Sequence, residues 1–233
     1  MSTLAILWED PHGLAVDKPA GLLVHPGANP DAAEPTLEQL VRRHLRPDDP
    51  ASAYLGTVHR LDRPVSGVIL WAKTPKAAQR WAAQFRDRLV LKEYLAIVER
   101  PDPPLDSPAR WDDWLTRPDR GGRASVSPVA VPGAARAITR VEPGGPGLGP
   151  LPGGFAWVRL IPETGRTHQL RAQAAAHGCP IVGDRTYGSR FGFGVGIALH
   201  ARRLVVEHPA RREPLVLAVD PPDDWPGRIE AAG

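Results

Sequence analysis

The chain has 233 residues, 42% hydrophobic and 24% charged, ordinary values for a globular protein with room for a substantial core. Its one cysteine, Cys179, excludes an intrachain disulfide and a cysteine-based metal cluster, and fits a reducing cytosol. The N-terminal MSTLAILWED lacks a basic leader, and no stretch approaches the ~20 apolar residues of a membrane span, so a soluble, cytoplasmic protein without membrane association is expected. Net charge is only +3, yet 25 of the 29 basic residues are arginine. Arginine forks onto phosphates and stacks on bases, which fits a nucleic-acid partner. With 27 prolines and 23 glycines the excess equally fits a GC-rich coding sequence, so composition leaves the partner open.

In chain order, LAVDKPAGLLVHPG (14–27) reads as a strand ending at Asp17-Lys18-Pro19, a turn at Ala20-Gly21 and a second apolar run. EPTLEQLVRRHL (34–45) reads as a helix. Thr36 and Gln39 have capping-box spacing, and Leu37, Leu40, Val41 and His44 share a face. TVHRLDRPVSGVILWAKT (57–74) ends in an apolar strand. The helix after it starts at Thr74-Pro75 and repeats Ala78, Trp81, Ala82, Phe85 and Leu89 on its apolar face. KEYLAIV (92–98) alternates as a strand, with Tyr94 on the side of Lys92 and Ala96.

Residues 101–135, rich in Pro, Gly, Asp and Arg, read as an irregular arm or hairpin. ARAITRVEP and FAWVRLIP are strands joined by a hairpin connection at 143–154. TGRTHQLRAQAAAHG predicts a helix capped by Thr167, running to about His177 and stopped by Gly178. IALHARRLVVEHP and REPLVLAVD supply two last strands. Many strands with short connections imply an α+β fold, a mixed and largely antiparallel sheet with flanking helices.

The common cofactor motifs are missing. GFGVGIA (192–198) has Ile197 where the third glycine of G-x-G-x-x-G belongs, and neither a P-loop nor H-E-x-x-H occurs. A metal site is therefore not expected, and hydride transfer, ATP hydrolysis and zinc hydrolysis lose ground. What remains is Asp62 between Arg60 and Arg63, Tyr94 on a strand, and a helix start carrying Arg166, His168 and Arg171. A carboxylate beside guanidinium groups stays ionised and serves as nucleophile or base. Arginines at a helix N-terminus favour phosphate, and a tyrosine can stack on an unpaired base. Each element alone has a plain structural reading as a turn cap, a packing residue or an orienting histidine.

Together, VDKPAGLLVHPG, VHRLDRPVSGVILWAKT, KEYLAIV, ETGRTHQLRAQAAAHGCPIVGDRTYG and LHARRL resemble the RluA-type pseudouridine synthases, over about residues 4–220. The resemblance implies cofactor-free, site-specific isomerisation of uridine to pseudouridine in RNA, on a fold with an RNA-binding cleft. By motif, Asp62 matches the catalytic aspartate, Tyr94 the tyrosine that stacks on the target base, and Arg171 the arginine that pairs with the aspartate. Arg60 matches the arginine near the extruded nucleotide. Arg63, Arg166 and His168 are further RNA-binding candidates.

Two positions depart from the family pattern. Val65 stands where Thr usually follows the HRLD block, and Gln173 replaces a second His. Neither departure alters the three catalytic matches. The reading implied is a single catalytic domain over residues 1–233, without an N-terminal S4 RNA-binding domain. It acts as a monomer, without an obligate protein partner, on a ribosomal or transfer RNA loop. The alternative is a catalytically silent RNA-binding relative acting as an RNA chaperone.

Overall fold

The computed structural model describes residues 4–26, 35–100, 105–144 and 148–230. In chain order its strands and helices begin with β1 (Ala5–Glu9), β2 (Gly13–Lys18), α1 (Leu37–Leu45), β3 (Gly56–Thr57), β4 (Ser66–Ala72) and α2 (Pro75–Arg86). There follow β5 (Leu91–Glu99), β6 (Ala109–Leu115), β7 (Val126–Ser127), β8 (Ala135–Pro143) and β9 (Phe155–Pro162). The last are α3 (Gln169–Ala176), β10 (Gly192–Phe193), β11 (Leu199–Glu207), β12 (Pro214–Ala218) and β13 (Ile229–Glu230). The class is α+β, and the chain divides into two compact units, Met1–Leu91 with Ala201–Asp220, and Lys92–His200 with Pro221–Gly233. No helix among the described residues is long and apolar enough to cross a membrane.

In the first unit, β2 pairs antiparallel with both β1 and β4, and the short β3 pairs with the end of β4. β11 and β12 form an antiparallel hairpin. All seven residues of β4 are buried, because its alternating side chains meet apolar partners on both faces. Val68, Leu70 and Ala72 pack with Trp81 of α2 and with Leu204 and Val206. Ile69 and Trp71 pack on the other face with Leu37 and Val41 of α1. Each fully buried Leu or Ile here is worth roughly 1.5–3 kcal/mol.

Both helix starts follow the sequence. Thr36 and Gln39 form the reciprocal capping box of α1, and the Ala77 N–H donates to Thr74 Oγ1 at the start of α2. The buried faces differ in detail. His44 is exposed and bonded to Glu9 at 2.9 Å, so the inner face of α1 is Leu37 and Val41. In α2 the buried residues are Ala77, Trp81 and Gln84, whereas Ala82 is exposed and Leu89 lies beyond the helix end, 73% exposed. Gln84 is drawn inward by polar pairing. It donates to the Glu207 carbonyl at 3.0 Å and accepts the Glu207 N–H at 2.8 Å, satisfying the backbone as a strand would. Hydrophobic periodicity is blind to such a residue.

In the second unit the antiparallel order β5-β9-β8-β6-β7 is continuous. The β8–β9 hairpin is as expected, and in the 101–135 stretch β6 and β7 pair as the hairpin alternative allowed, but β6 also joins the core sheet. Residues 109–115 form a regular strand in register with β8, burying Trp111, Asp113 and Leu115. Its density of charged residues hid the alternation, since the intervening Arg110 and Asp112 face outward in an ion-paired ladder with Arg136. Residues 101–104 of that stretch lie outside the described residues. Helix α3 lies against this sheet through Ala172, with Leu115, Ala137 and Tyr187 in the same cluster.

One glycine in the first unit is dictated by its surroundings. Gly67 of β4 has φ +111, and a Cβ there would lie 2.3 Å from the Ala201 carbonyl oxygen. Both the backbone angle and the approach of another strand exclude a side chain. Gly67→Ala should lose about 2–4 kcal/mol of stability, from backbone strain and overpacking together, measurable by urea unfolding. A loss below about 0.5 kcal/mol would contradict the packing described.

Candidate active site

Asp62 lies on the loop that leads into β4. Its neighbours Leu61 and Val65 are 6% and 3% exposed and anchor the loop to the core, which leaves the carboxylate half-buried between them. The Val65 N–H donates to the Asp62 carbonyl at 3.1 Å, closing the turn that contains Pro64. Upstream, His59 belongs to the scaffold. Its Nε2 accepts the Leu70 N–H at 2.9 Å, which puts the ring proton on Nδ1, and the ring stacks on Phe85 at 4.9 Å. The HRLD block is therefore fastened to both β4 and α2.

A second fastening comes from the Lys18-Pro19 turn. Gly21 takes φ +85, as a tight turn allows, and its N–H donates to the Arg63 carbonyl at 2.9 Å. Arg63 Nε returns a bond to the Gly21 carbonyl at 2.8 Å. Lys18 is fully buried, and its Nζ donates to the carbonyls of Pro19, Leu22 and Arg63 at 2.9, 2.8 and 3.1 Å. Arg60 and Arg63 are exposed on either side of Asp62. Lys18 was absent from the predicted site, although VDKPAG was one of the motifs carrying the resemblance.

The remaining predicted residues lie in the second unit. β5 places the half-buried Tyr94 opposite Leu160 of β9. Arg171 projects from α3 into a buried setting, where its Nε and one Nη donate to Asp184 at 2.7 and 2.9 Å. This is a bidentate pair, with side chains 7% and 1% exposed. Asp184, in the PIVGD turn, is thus an Arg171 partner that sequence reading did not assign. The only signal was its place in a quoted motif, since a carboxylate 13 positions away has no helical or strand spacing to announce it.

Tyr187 completes this cluster. Its ring centroid lies 5.1 Å from the Arg171 guanidinium carbon. Its hydroxyl accepts the Ala124 N–H at 2.9 Å and lies 3.0 Å from His168 Nδ1. The helix start departs from expectation, because His168, not Thr167, is the N-cap, with φ 58 and no side-chain capping bond. A left-handed non-glycine residue costs about 1–3 kcal/mol, which the surrounding bonds offset. Gln169 supplies several of them. It accepts from Thr164 Oγ1 and the Arg166 N–H, and donates to the Ile138 carbonyl and Thr139 Oγ1. Arg166 remains exposed, with its Nε on the Arg136 carbonyl at 3.1 Å. Gly178 has φ +74 just past the helix, the stop that its position predicted.

The substituted Gln173 is also accounted for. Fully buried, it donates to Asp113 at 2.6 Å and to the Ala137 carbonyl at 3.2 Å, and accepts from Thr139 Oγ1 at 2.7 Å. It ties α3 to β6 and β8. His177 adds a 3.1 Å contact to the same Asp113 carboxylate.

Comparison with known proteins is consistent throughout. The family model described as RNA pseudouridylate synthase matches residues 12–176. The chain is 36% identical to the ribosomal large subunit pseudouridine synthase D of Xanthomonas campestris pv. campestris, over 95% of this chain and 67% of that protein. It is 33% identical to the tRNA pseudouridine synthase C of Pasteurella multocida, over 96% and 93% of the two chains. Among solved structures, human RNA Pseudouridylate Synthase Domain Containing 1 matches with a TM-score of 0.72 and 26% identity, covering 94% of this chain and 84% of that one. With family model, relatives and fold in agreement, the chain belongs to the RluA-type RNA pseudouridine synthases.

Proposed function

We propose that this enzyme converts a specific uridine in a ribosomal or transfer RNA loop to pseudouridine, with Asp62 as the catalytic carboxylate. The observation that carries this reading is the setting of Asp62, half-buried on a loop fastened by His59, Gly21 and Lys18, within the motif that matches the family's aspartate. A fixed, partly desolvated carboxylate is suited to attack a bound base or sugar, or to take a ribose proton. Each of these routes breaks the bond from uridine N1 to C1′, turns the uracil, and joins C5 to C1′. C5 releases its hydrogen as a proton and N1 gains one, so the reaction is balanced without a metal, redox partner or organic cofactor.

The base must leave its stack first, at a cost of a few kcal/mol that is smallest in a loop or single strand. That favours a loop or bulge as substrate. In this reading Tyr94 stacks on the flipped uracil and Arg171 pairs with the Asp62 carboxylate. Arg60 and Arg63, with Arg166 and His168, contact the RNA. The bidentate bond to Asp184 supports the role of Arg171, because it orients the guanidinium before substrate arrives. The enzyme is proposed to act as a monomer in the cytoplasm, a reducing compartment that suits its one buried cysteine.

Asp62→Asn should abolish tritium release from RNA labelled at uridine C5 while RNA binding stays within about threefold, since only the ionised carboxylate carries the chemistry. Retention of full activity would remove Asp62 from the mechanism. Arg171→Ala leaves Asp184 buried without its partner and should cost about 3–5 kcal/mol of stability, so the informative variant is Arg171→Lys. Lysine keeps the charge but not the fork, and should lower the single-turnover rate at least about tenfold in a protein that still folds. A wild-type rate would show that charge alone suffices.

A further inference from the structure

GFGVGIA (192–198) fails as a dinucleotide motif, and the fold gives its glycines another use. Gly194 has φ +41 and Gly196 φ +92, so the backbone turns where a side chain would be strained. Such a stretch loses much conformational freedom on folding and needs partners to hold it. It has them on two sides.

On its inner side it meets the PIVGD turn. Gly183 has φ +87, and a Cβ there would lie 2.7 Å from the Phe193 Cβ and 3.0 Å from the Gly196 carbonyl oxygen. The Gly183 N–H is shared between Ser189 Oγ at 3.1 Å and the Phe191 carbonyl at 3.2 Å. The next residue is Asp184, whose carboxylate accepts the two bonds from Arg171.

On its outer side it meets residues 225–230. Gly192 pairs with Glu230 and Phe193 with Ile229 in the β10–β13 ladder, and Glu230 Oε1 accepts the Gly194 N–H at 3.2 Å. Trp225 is only 2% exposed. Its ring stands nearly perpendicular to those of Phe193 at 5.2 Å and His200 at 5.8 Å, and parallel to that of Trp157 at 6.1 Å. Trp157 is itself tied down, its Nε1–H donating to the Gly149 carbonyl at 2.9 Å. Trp225 thus backs Phe193, and Phe193 backs Gly183.

We propose that Trp225 is a positioning residue of the isomerisation site, acting through Phe193 and Gly183 to fix Asp184 and, through Asp184, the guanidinium of Arg171. The proposal rests on the reading of Arg171 as the partner of Asp62. The Arg171–Asp184 pair is buried, with side chains 7% and 1% exposed. Water cannot replace a carboxylate that moves there, so the guanidinium fork follows the backbone that carries Asp184. Removing the Trp225 ring leaves a cavity behind Phe193, into which the glycine-rich stretch can relax.

The test is single-turnover tritium release from mixed ribosomal and transfer RNA labelled at uridine C5. Wild type is compared with Trp225→Ala, Trp225→Phe, Arg171→Lys and the double variant that joins Trp225→Ala to Arg171→Lys. Circular dichroism checks that each is folded at the assay temperature, and filter binding measures RNA affinity. Trp225→Ala should be slower by about tenfold with affinity within about threefold, as expected when a side chain near the reaction is misplaced. Trp225→Phe, which keeps an aromatic ring against Phe193, should recover most of the rate. The double variant should be little slower than Arg171→Lys alone, because both changes disturb the same guanidinium. A tryptophan that only added stability would leave the folded enzyme at full rate and uncoupled from Arg171.

A folded Trp225→Ala enzyme at the wild-type rate, beside a slow Arg171→Lys, overturns the inference about Trp225 alone. A double variant whose loss is the full product of the two single losses overturns it as well. If Trp225→Ala does not fold, Glu230→Ala decides, since Glu230 is exposed and holds the same stretch through the Gly194 N–H. A loss of at least about threefold there supports the inference, and a wild-type rate sinks it. An Arg171→Lys enzyme at the wild-type rate instead sinks the reading in which the Arg171 fork is needed.

Discussion

The carbonyl of Arg63 is the point on which the Asp62 loop hangs. It accepts the Gly21 N–H and the Lys18 ammonium together, one residue after Asp62, while the Arg63 side chain closes the same contact from the other direction. Leu61 and Val65 anchor this loop to the core. Hydrogen bonds to the buried Lys18 cation add to that anchoring, and charge-assisted bonds are stronger than neutral ones. The strand behind the loop, β4, is held by burial on both faces, with Gly67 allowing another strand's backbone within contact distance. Rigid strand and clamped loop together restrict where the Asp62 carboxylate can be.

The second unit reaches comparable order by different means. Helix α3 is short and carries alanines at much of its surface, so it offers limited apolar area. Its position is specified by buried amides. Gln169 and Gln173 reach β8, and Gln173 also reaches Asp113 of β6. Fully satisfied buried networks of this kind favour one arrangement over near alternatives, because any shift leaves several groups unpaired. The Arg171–Asp184 pair and the Tyr187 ring extend that network to the end of the helix. The strained His168 backbone persists because its neighbours are over-determined in this way.

Much of this was legible in the residues, though unevenly. Capping at Thr36 and Thr74, the stop at Gly178 and the β8–β9 hairpin follow from local chemistry, in which the signal and the effect lie within a few positions. Gln84 and β6 were misread for one shared reason. Their inward residues are polar or alternate with paired charges, and hydrophobic period is the wrong measure for them. Val65 and Gln173, the two departures from the family pattern, prove to be ordinary core and network residues.

The sequence by itself determined the family, because the motifs that hold Asp62, Tyr94 and Arg171 stand in an order and spacing that name it. It also determined the starts of α1 and α2, the stop after α3 and the apolar run of β4, which are properties of neighbours in the chain. Only the tertiary structure decided which polar groups are buried and what satisfies them. Lys18 meets Arg63 from 45 positions away, and Gln84 meets Glu207 from 123. No local rule reaches such distances, since a buried charge or amide finds its partners only after the chain has folded around it.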